Sequence, residues 1–359
     1  MFKLEALISK GILEAGIQIV PEFGEKICRM HLNENLLIDR SLLLEIAQEI
    51  LPKLDFRKYP QPYYKSLVGD LAEFLNVDPK NVFVERGCET LLKYMALLFN
   101  KARFLIVEPT FPILAYYCKA FGVNFNRVLL KEDFSLDVNR ILAYNQQCNI
   151  LFMASPNNPT ANQFSKEDIS TVLENWKGLV IVDEVYVNFG TYTVLNLVED
   201  FDNVIILRSF SKDAGLSGLR FGYIIASEKI INRIKVLSGP FPIDVFSCEM
   251  VRAVLDRWSY FRSMIHSVIT EREHFRVILK EIPEIIVYPS DTNFILVRFP
   301  RSVKAEYIVK LLLKRGFAVK DVGEYPLLTN CIRVTVSTRE TNEAFTSVLK
   351  EIIPKFMWE

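Results

Sequence analysis

The chain has 359 residues, half of them hydrophobic, and its 43 Lys and Arg balance its 43 Asp and Glu to a formal net charge of zero. That length predicts a larger and a smaller unit sharing an interface, and a balanced charge with no basic stripe argues against nucleic acid or a membrane surface as a partner. No apolar run reaches spanning length, Lys3, Glu5 and Lys10 break up the apolar start so that it does not read as a signal peptide, and the six cysteines form no Cys-x-x-Cys pair, which fits reduced thiols in a cytoplasmic protein better than a zinc site.

Residues 1–29 read as a short helix and then an irregular segment around Pro21 and Gly24. The stretch Leu32-Asn33-Glu34-Asn35 is a polar loop ahead of a helix, which the apolar spacing of Ser41 to Leu51 predicts. Arg57 to Pro62 is a proline-stiffened loop carrying Tyr59, followed by an amphipathic helix from Lys65 to Leu75 and a short strand from Val82 to Val84. Glu85-Arg86-Gly87-Cys88-Glu89-Thr90 then leads into an apolar helix from Leu91 to Phe99. A glycine turn at a helix N-terminus leaves N–H groups free for an anion, although an ordinary cap would carry the same letters.

Buried strands are predicted at Arg103 to Val107, Asn149 to Met153, Gly178 to Val182, Val204 to Leu207 and Phe221 to Ala226. Helical stretches at Phe111 to Gly122 and Lys166 to Trp176 alternate with them, as a parallel doubly wound sheet requires. Polar motifs stand just beyond several strand ends: Pro109-Thr110-Phe111, Pro156-Asn157-Asn158-Pro159-Thr160, Asp183-Glu184-Val185-Tyr186, and the loop Ser209 to Arg220. Ligands of open α/β sheets bind outside those carboxyl ends, so one pocket can collect the motifs. In the last loop Ser209, Ser211 and Arg220 surround Lys212 with hydroxyls and a fork of charge suited to a phosphate, and a lysine held there can condense with a carbonyl. Either Asp183 or Glu184 is an acid at a strand end.

Residues 228–281 read as mostly helical, with a break at Gly239 to Pro242 and a long tract from Ser259 to Lys280 that links the two units. Strands at Ile285 to Tyr288, Asn293 to Phe299 and Ile332 to Val336, with helices at Ala305 to Arg315 and Thr341 to Phe356, describe an α+β unit. His31, His266 and His274 are too dispersed to make a metal set or a triad.

Ser-Phe-Ser-Lys at 209–212, followed by Arg220 and then Phe-Gly-Tyr, resembles the cofactor-lysine signature of fold-type I pyridoxal-phosphate (PLP) enzymes, the aspartate aminotransferase superfamily. Within that superfamily the chain looks most like the histidinol-phosphate aminotransferases, from Leu32 to Glu340. The resemblance implies an α/β fold-type I PLP transferase: an N-terminal arm (1–35), a large doubly wound domain with a mostly parallel sheet (36–260) and a smaller α+β C-terminal domain (261–359). It implies a cytoplasmic homodimer acting on small amino and keto acids, with Lys212 holding PLP and moving the α-proton. Asp183, chosen over Glu184 by the Asp-x-x-Tyr spacing, would sit under the pyridine nitrogen. Tyr186 and Asn158 would bond the phenolic oxygen, Phe111 would stack on the ring, and Cys88, Glu89, Ser209, Ser211 and Arg220 would hold the phosphate, joined by Tyr59 from the other subunit. Arg333 would pair with the substrate carboxylate, Lys320 would meet a substrate phosphate, and Asn35 would lie on the substrate side.

Several positions depart from the family pattern: Leu36 for proline, Thr90 for glutamate, Phe111 for tyrosine, Ala161 and Ser337 for glycine, and Lys320 for arginine. Histidinol phosphate with 2-oxoglutarate is the implied couple. An aromatic-amino-acid aminotransferase, a lyase like threonine-phosphate decarboxylase, and a protein that only binds PLP remain alternatives.

Overall fold

The protein is described from a computed structural model covering residues 8–16, 21–197 and 202–353. Of the short helix expected within 1–29, Lys10–Glu14 is present, while residues 1–7 and 17–20 lie outside the described part, as does the expected helix end beyond 353. In chain order the strands are β1 (Cys28–Arg29), β2 (Val82–Glu85), β3 (Phe104–Glu108), β4 (Phe125–Leu129), β5 (Ile150–Ala154), β6 (Leu179–Asp183), β7 (Val204–Ser209), β8 (Gly222–Ala226), β9 (Ile286–Val287), β10 (Phe294–Arg298), β11 (Phe317–Ala318), β12 (Lys320–Asp321) and β13 (Cys331–Thr335).

The larger sheet has the order β2-β8-β7-β6-β5-β3-β4, and β8 runs against both of its neighbours while the pairs from β7 to β4 are parallel. Alternate residues of its middle strands feed two cores. Leu151, Met153, Val180, Val182, Val204 and Ile206 enter one, and Ile150, Phe152, Ile181, Ile205 and Leu207 enter the other. A sheet covered by helices on both faces needs such uninterrupted apolar runs, which is why these strands are legible in the sequence. Strand β4 was not, because it pairs on one side only and its Asn126 and Arg127 interrupt the apolar run.

Two helices start a turn earlier than their apolar spacing predicts. Gln61–Leu75 takes Pro62 into its first turn, where a missing N–H costs nothing, and Gly87–Leu98 begins at the glycine itself. The smaller sheet is antiparallel, β12-β13-β10-β9. Helix Trp258–Lys280, 23 residues long, reaches it from the larger unit, and helices Ala305–Lys314 and Arg339–Ile352 share its core around Phe275, Phe294 and Phe345. The N-terminal segment lies against this smaller unit: β1 pairs in parallel with β11 (Cys28 with Phe317), and Met30 exchanges main-chain bonds with Ala318 and Thr335.

Candidate active site

The loops beyond β3, β5, β6 and β7, the first turn of helix Gly87–Leu98 and Arg333 of β13 enclose a cavity of about 300 Å3. Lys212, Asp183, Tyr186, Asn158, Phe111 and Arg333 line it, and so do Cys88, Glu89, Ser209, Ser211 and Arg220. The loop residues meet because parallel strands deliver their following loops to one rim, and Arg333 reaches the same place from the antiparallel smaller sheet.

Lys212 is partly buried, and its Nζ donates to the Leu32 carbonyl at 2.8 Å. Burial, reinforced by the nearby Arg333 charge, lowers its pKa to about 8. Asp183 ends β6, and burial lifts its pKa to about 6 against the pull of a 3.0 Å bond from the Val185 N–H. Strand alternation turns Glu184 away from the cavity, so its buried carboxylate accepts from Arg208 at 2.8 Å and from the Val194 N–H at 2.7 Å. Tyr186 is buried, with its pKa raised by that burial, and its hydroxyl accepts from Asn33 Nδ2 at 2.8 Å.

The Ser209 hydroxyl donates to the Phe221 carbonyl at 2.6 Å and accepts from the Ser211 N–H at 3.0 Å, which ties the two ends of the lysine loop together. Helix Gly87–Leu98 has no side-chain cap at its N-terminus. Gly222 lets that first turn sit on β8, since a Cβ there would stand 2.5 Å from the Cys88 nitrogen. The Cys88 thiol, its pKa raised by burial, donates to the Arg208 carbonyl at 3.1 Å. Arg220 stands 3.8 Å from Glu89 across the same turn.

Arg333 is buried, which lowers its pKa, and its ring-ward neighbour is Phe294 at 5.4 Å. Its Nη1 donates to Asn158 Oδ1 at 2.7 Å and its Nη2 to the His31 carbonyl at 2.5 Å, while Nε is buried without a partner. A buried, unpaired donor costs roughly 1–3 kcal/mol, so Nε is a hydrogen-bonding capacity that the folded chain leaves unused.

Asn35 and Lys320, expected at the site, stand apart from the cavity lining, and Tyr59, which the resemblance assigns to the other subunit's site, lies outside the lining of this chain. Asn35 is buried and its amide donates to the Asp213 carbonyl at 2.7 Å, which makes it a brace for the lysine loop and not a cavity wall. Tyr59 is 72% exposed and stacks on Phe241 with ring centroids 4.3 Å apart. Lys320 is exposed and stands directly opposite Arg333 in the β12–β13 ladder. Several lining residues were missed, Leu32 and Asn33 of the N-terminal segment among them. Asn33 has φ 56, a conformation in which asparagine is enriched, but two asparagines in one short stretch do not reveal which of them faces inward.

The donor set fits PLP. An uncapped helix N-terminus with Ser211 and Arg220 beside it suits a phosphate, Lys212 an aldehyde, and Asp183 a basic ring nitrogen.

The model of the family described as aminotransferase class I and II matches residues 29–349. A histidinol-phosphate aminotransferase of Thermoanaerobacter pseudethanolicus is 34% identical over 315 residues, 87% of this chain and 89% of that one. Among solved structures, the histidinol-phosphate aminotransferase of Clostridium acetobutylicum superposes with a TM-score of 0.85 at 22% identity, covering 92% of this chain and all of that one. The Sinorhizobium meliloti histidinol-phosphate aminotransferase, solved in complex with pyridoxal-5'-phosphate, gives 0.83 at 22% identity, covering 91% of each chain.

Proposed function

Because the chain belongs to the aminotransferase class I and II family, we propose that it is a PLP-dependent transaminase that moves an amino group between histidinol phosphate and 2-oxoglutarate, as a cytoplasmic homodimer. The observation that carries the reading is the placing of Lys212, Asp183 and Arg333 around one cavity, with Lys212 at a pKa of about 8. Residues 36–260 then carry the cofactor, 261–359 supply the substrate arginine, and 1–35 form the arm. The named relatives support the substrate, and six free cysteines agree with a reducing compartment.

Bound PLP supplies an aldehyde that captures amines and a protonated ring that withdraws electrons. Asp183, ionised above about pH 6, keeps the proton on the ring nitrogen. Lys212 Nζ sheds its own proton close to neutral pH, takes the α-proton of the substrate and returns it as general acid. Arg333 would exchange the His31 carbonyl and Asn158 for the α-carboxylate of glutamate or 2-oxoglutarate, held by two parallel bonds, since histidinol phosphate carries no carboxylate. With PLP bound, Phe111 would cover the ring face, and Tyr186 and Asn158 would hold its oxygen. Lys320, outside the cavity lining but paired with Arg333 across the β12–β13 ladder, would meet the substrate phosphate as a point charge.

The test is the kcat/KM for histidinol phosphate, phenylalanine and tyrosine in wild type and Lys320→Ala, with carbon dioxide release from phosphothreonine measured alongside. Histidinol phosphate is expected to be preferred, and Lys320→Ala to lower its value about tenfold, the worth of one charge-assisted hydrogen bond, with phenylalanine unchanged. The apolar wall of Leu32, Leu92, Phe111 and Ile113 favours ring-bearing donors in general, so if phenylalanine beats histidinol phosphate in wild type, the aromatic reading replaces this one.

A further inference from the structure

Asn33 is 1% exposed and uses every polar atom it has. Its N–H donates to Thr335 Oγ1 at 3.0 Å, its carbonyl accepts from Asn293 Nδ2 at 2.9 Å, its Oδ1 accepts from Thr335 Oγ1 at 3.2 Å, and its Nδ2 donates to the Tyr186 hydroxyl at 2.8 Å. In the arrangement observed, the Thr335 hydroxyl receives the Asn33 N–H and gives its single proton to Oδ1, which leaves Nδ2 facing Tyr186. The Tyr186 oxygen is thereby an acceptor from Asn33, and its own O–H has to point elsewhere. Tyr186 lines the cavity with Lys212 and Asn158, so the free direction is the one in which a bound ring would lie.

We propose that Asn33 is a positioning residue: by donating to Tyr186 it aims the tyrosine proton into the cavity, at the ring oxygen of the lysine-bound cofactor, and so sets the acidity of the cofactor–lysine linkage. The inference rests on the PLP reading above. It also gives the N-terminal segment a chemical task beyond packing, since one residue, through its main chain and its side chain, joins Thr335 and Asn293 of the smaller unit to Tyr186 beyond β6 of the larger. A tyrosine donating to that oxygen favours its deprotonated form, so losing the aim makes the linkage hold its proton to higher pH.

The visible absorbance of PLP-loaded protein is titrated against pH in wild type, Asn33→Gly, Tyr186→Phe and the double variant. Glycine accepts φ 56 without strain and keeps both main-chain bonds to Thr335 and Asn293, so the fold is retained. Asn33→Gly is expected to raise the titration midpoint by about 0.5–1 unit, as the loss of one hydrogen bond predicts, and to add nothing in the Tyr186→Phe background. Thr335→Val, which frees the amide to turn over, is expected to move the midpoint the same way. An unmoved midpoint in Asn33→Gly, or an equal shift with and without the tyrosine hydroxyl, overturns the proposal and leaves Asn33 a packing brace. A wild type with no titrating visible band overturns the cofactor reading itself, and this is seen before any variant is compared.

Discussion

Burial places two charges of the site at a disadvantage, and both should show in pH dependence before any cofactor is added. Asp183 has an unfolded value of 3.8 and a folded value of about 6, so the native state binds the extra proton between them, and stability is lost as pH rises through that window. Asp183→Asn is therefore expected to melt higher than wild type at pH 7–8 by on the order of 1–3 kcal/mol, and to match it near pH 4. Its turnover should fall by about two orders of magnitude or more, because the ring proton loses its partner. Melting curves at both pH values and an activity assay check this. For Lys212 the sign differs: its folded value of about 8 lies below 10.5, so the burden is complete below pH 8 and is relieved as pH climbs towards 10.5. Borohydride treatment with PLP should add the cofactor mass to the peptide containing Lys212, and Lys212→Ala should abolish both the adduct and turnover. An adduct elsewhere in the chain would refute the lysine assignment.

At the scale of elements, the site depends on two contacts that hold strand ends in place. Helix Gly87–Leu98 sits on β8 only because Gly222 has no side chain, as an added Cβ would lie 2.6 Å from the Gly87 carbonyl carbon as well as against the Cys88 nitrogen. Gly222→Ala should shift that helix off the sheet, weaken PLP binding about tenfold or more by displacing its N-terminal amides, and cost about 1–3 kcal/mol, in the range of an overpacked core. PLP titration and denaturant unfolding report the two effects separately, and unchanged cofactor affinity would show that the amides are not the phosphate cradle. The second contact is the buried pair of Glu184 and Arg208, which joins the end of β6 to β7 and is completed by Thr193 and the Val194 N–H. Glu184→Gln leaves the Arg208 charge unmatched in the interior and is expected to cost about 3–5 kcal/mol in unfolding free energy.

For the whole molecule the open question of assembly has a local handle. Phe56 is 64% and Tyr59 72% exposed, and Tyr59 is held flat against Phe241 by stacking. The proposed homodimer would cover this aromatic pair, with Tyr59 reaching the neighbouring phosphate site. Light scattering at micromolar concentration is expected to give the mass of two chains, and Tyr59→Ala to weaken PLP binding without disturbing the melting of the cofactor-free chain. A single-chain mass with full activity would remove this arrangement. Among the described residues no helix is long and apolar enough to cross a membrane.

The sequence by itself determined the strands and the chemistry at their ends. Uninterrupted apolar runs at 150–154, 179–182 and 204–207 have no stable place except a two-faced core, and polar residues at the ends of such strands must gather at one rim. Lys212, Asp183, Tyr186 and Asn158 meet there, and Arg333 joins them from β13 of the smaller sheet. Tertiary structure alone decided what depends on partners far away in the chain. Lys212 finds the Leu32 carbonyl 180 positions away, and Arg333 finds the His31 carbonyl 302 positions away. The same distant partners chose Asn33 over Asn35 as the cavity wall: Thr335 and Asn293 hold Asn33 inward, while Asp213 takes the amide of Asn35. Short motifs specify residue type and local bend, whereas orientation within a motif is settled by whichever hydrogen-bond partner the packed fold brings alongside.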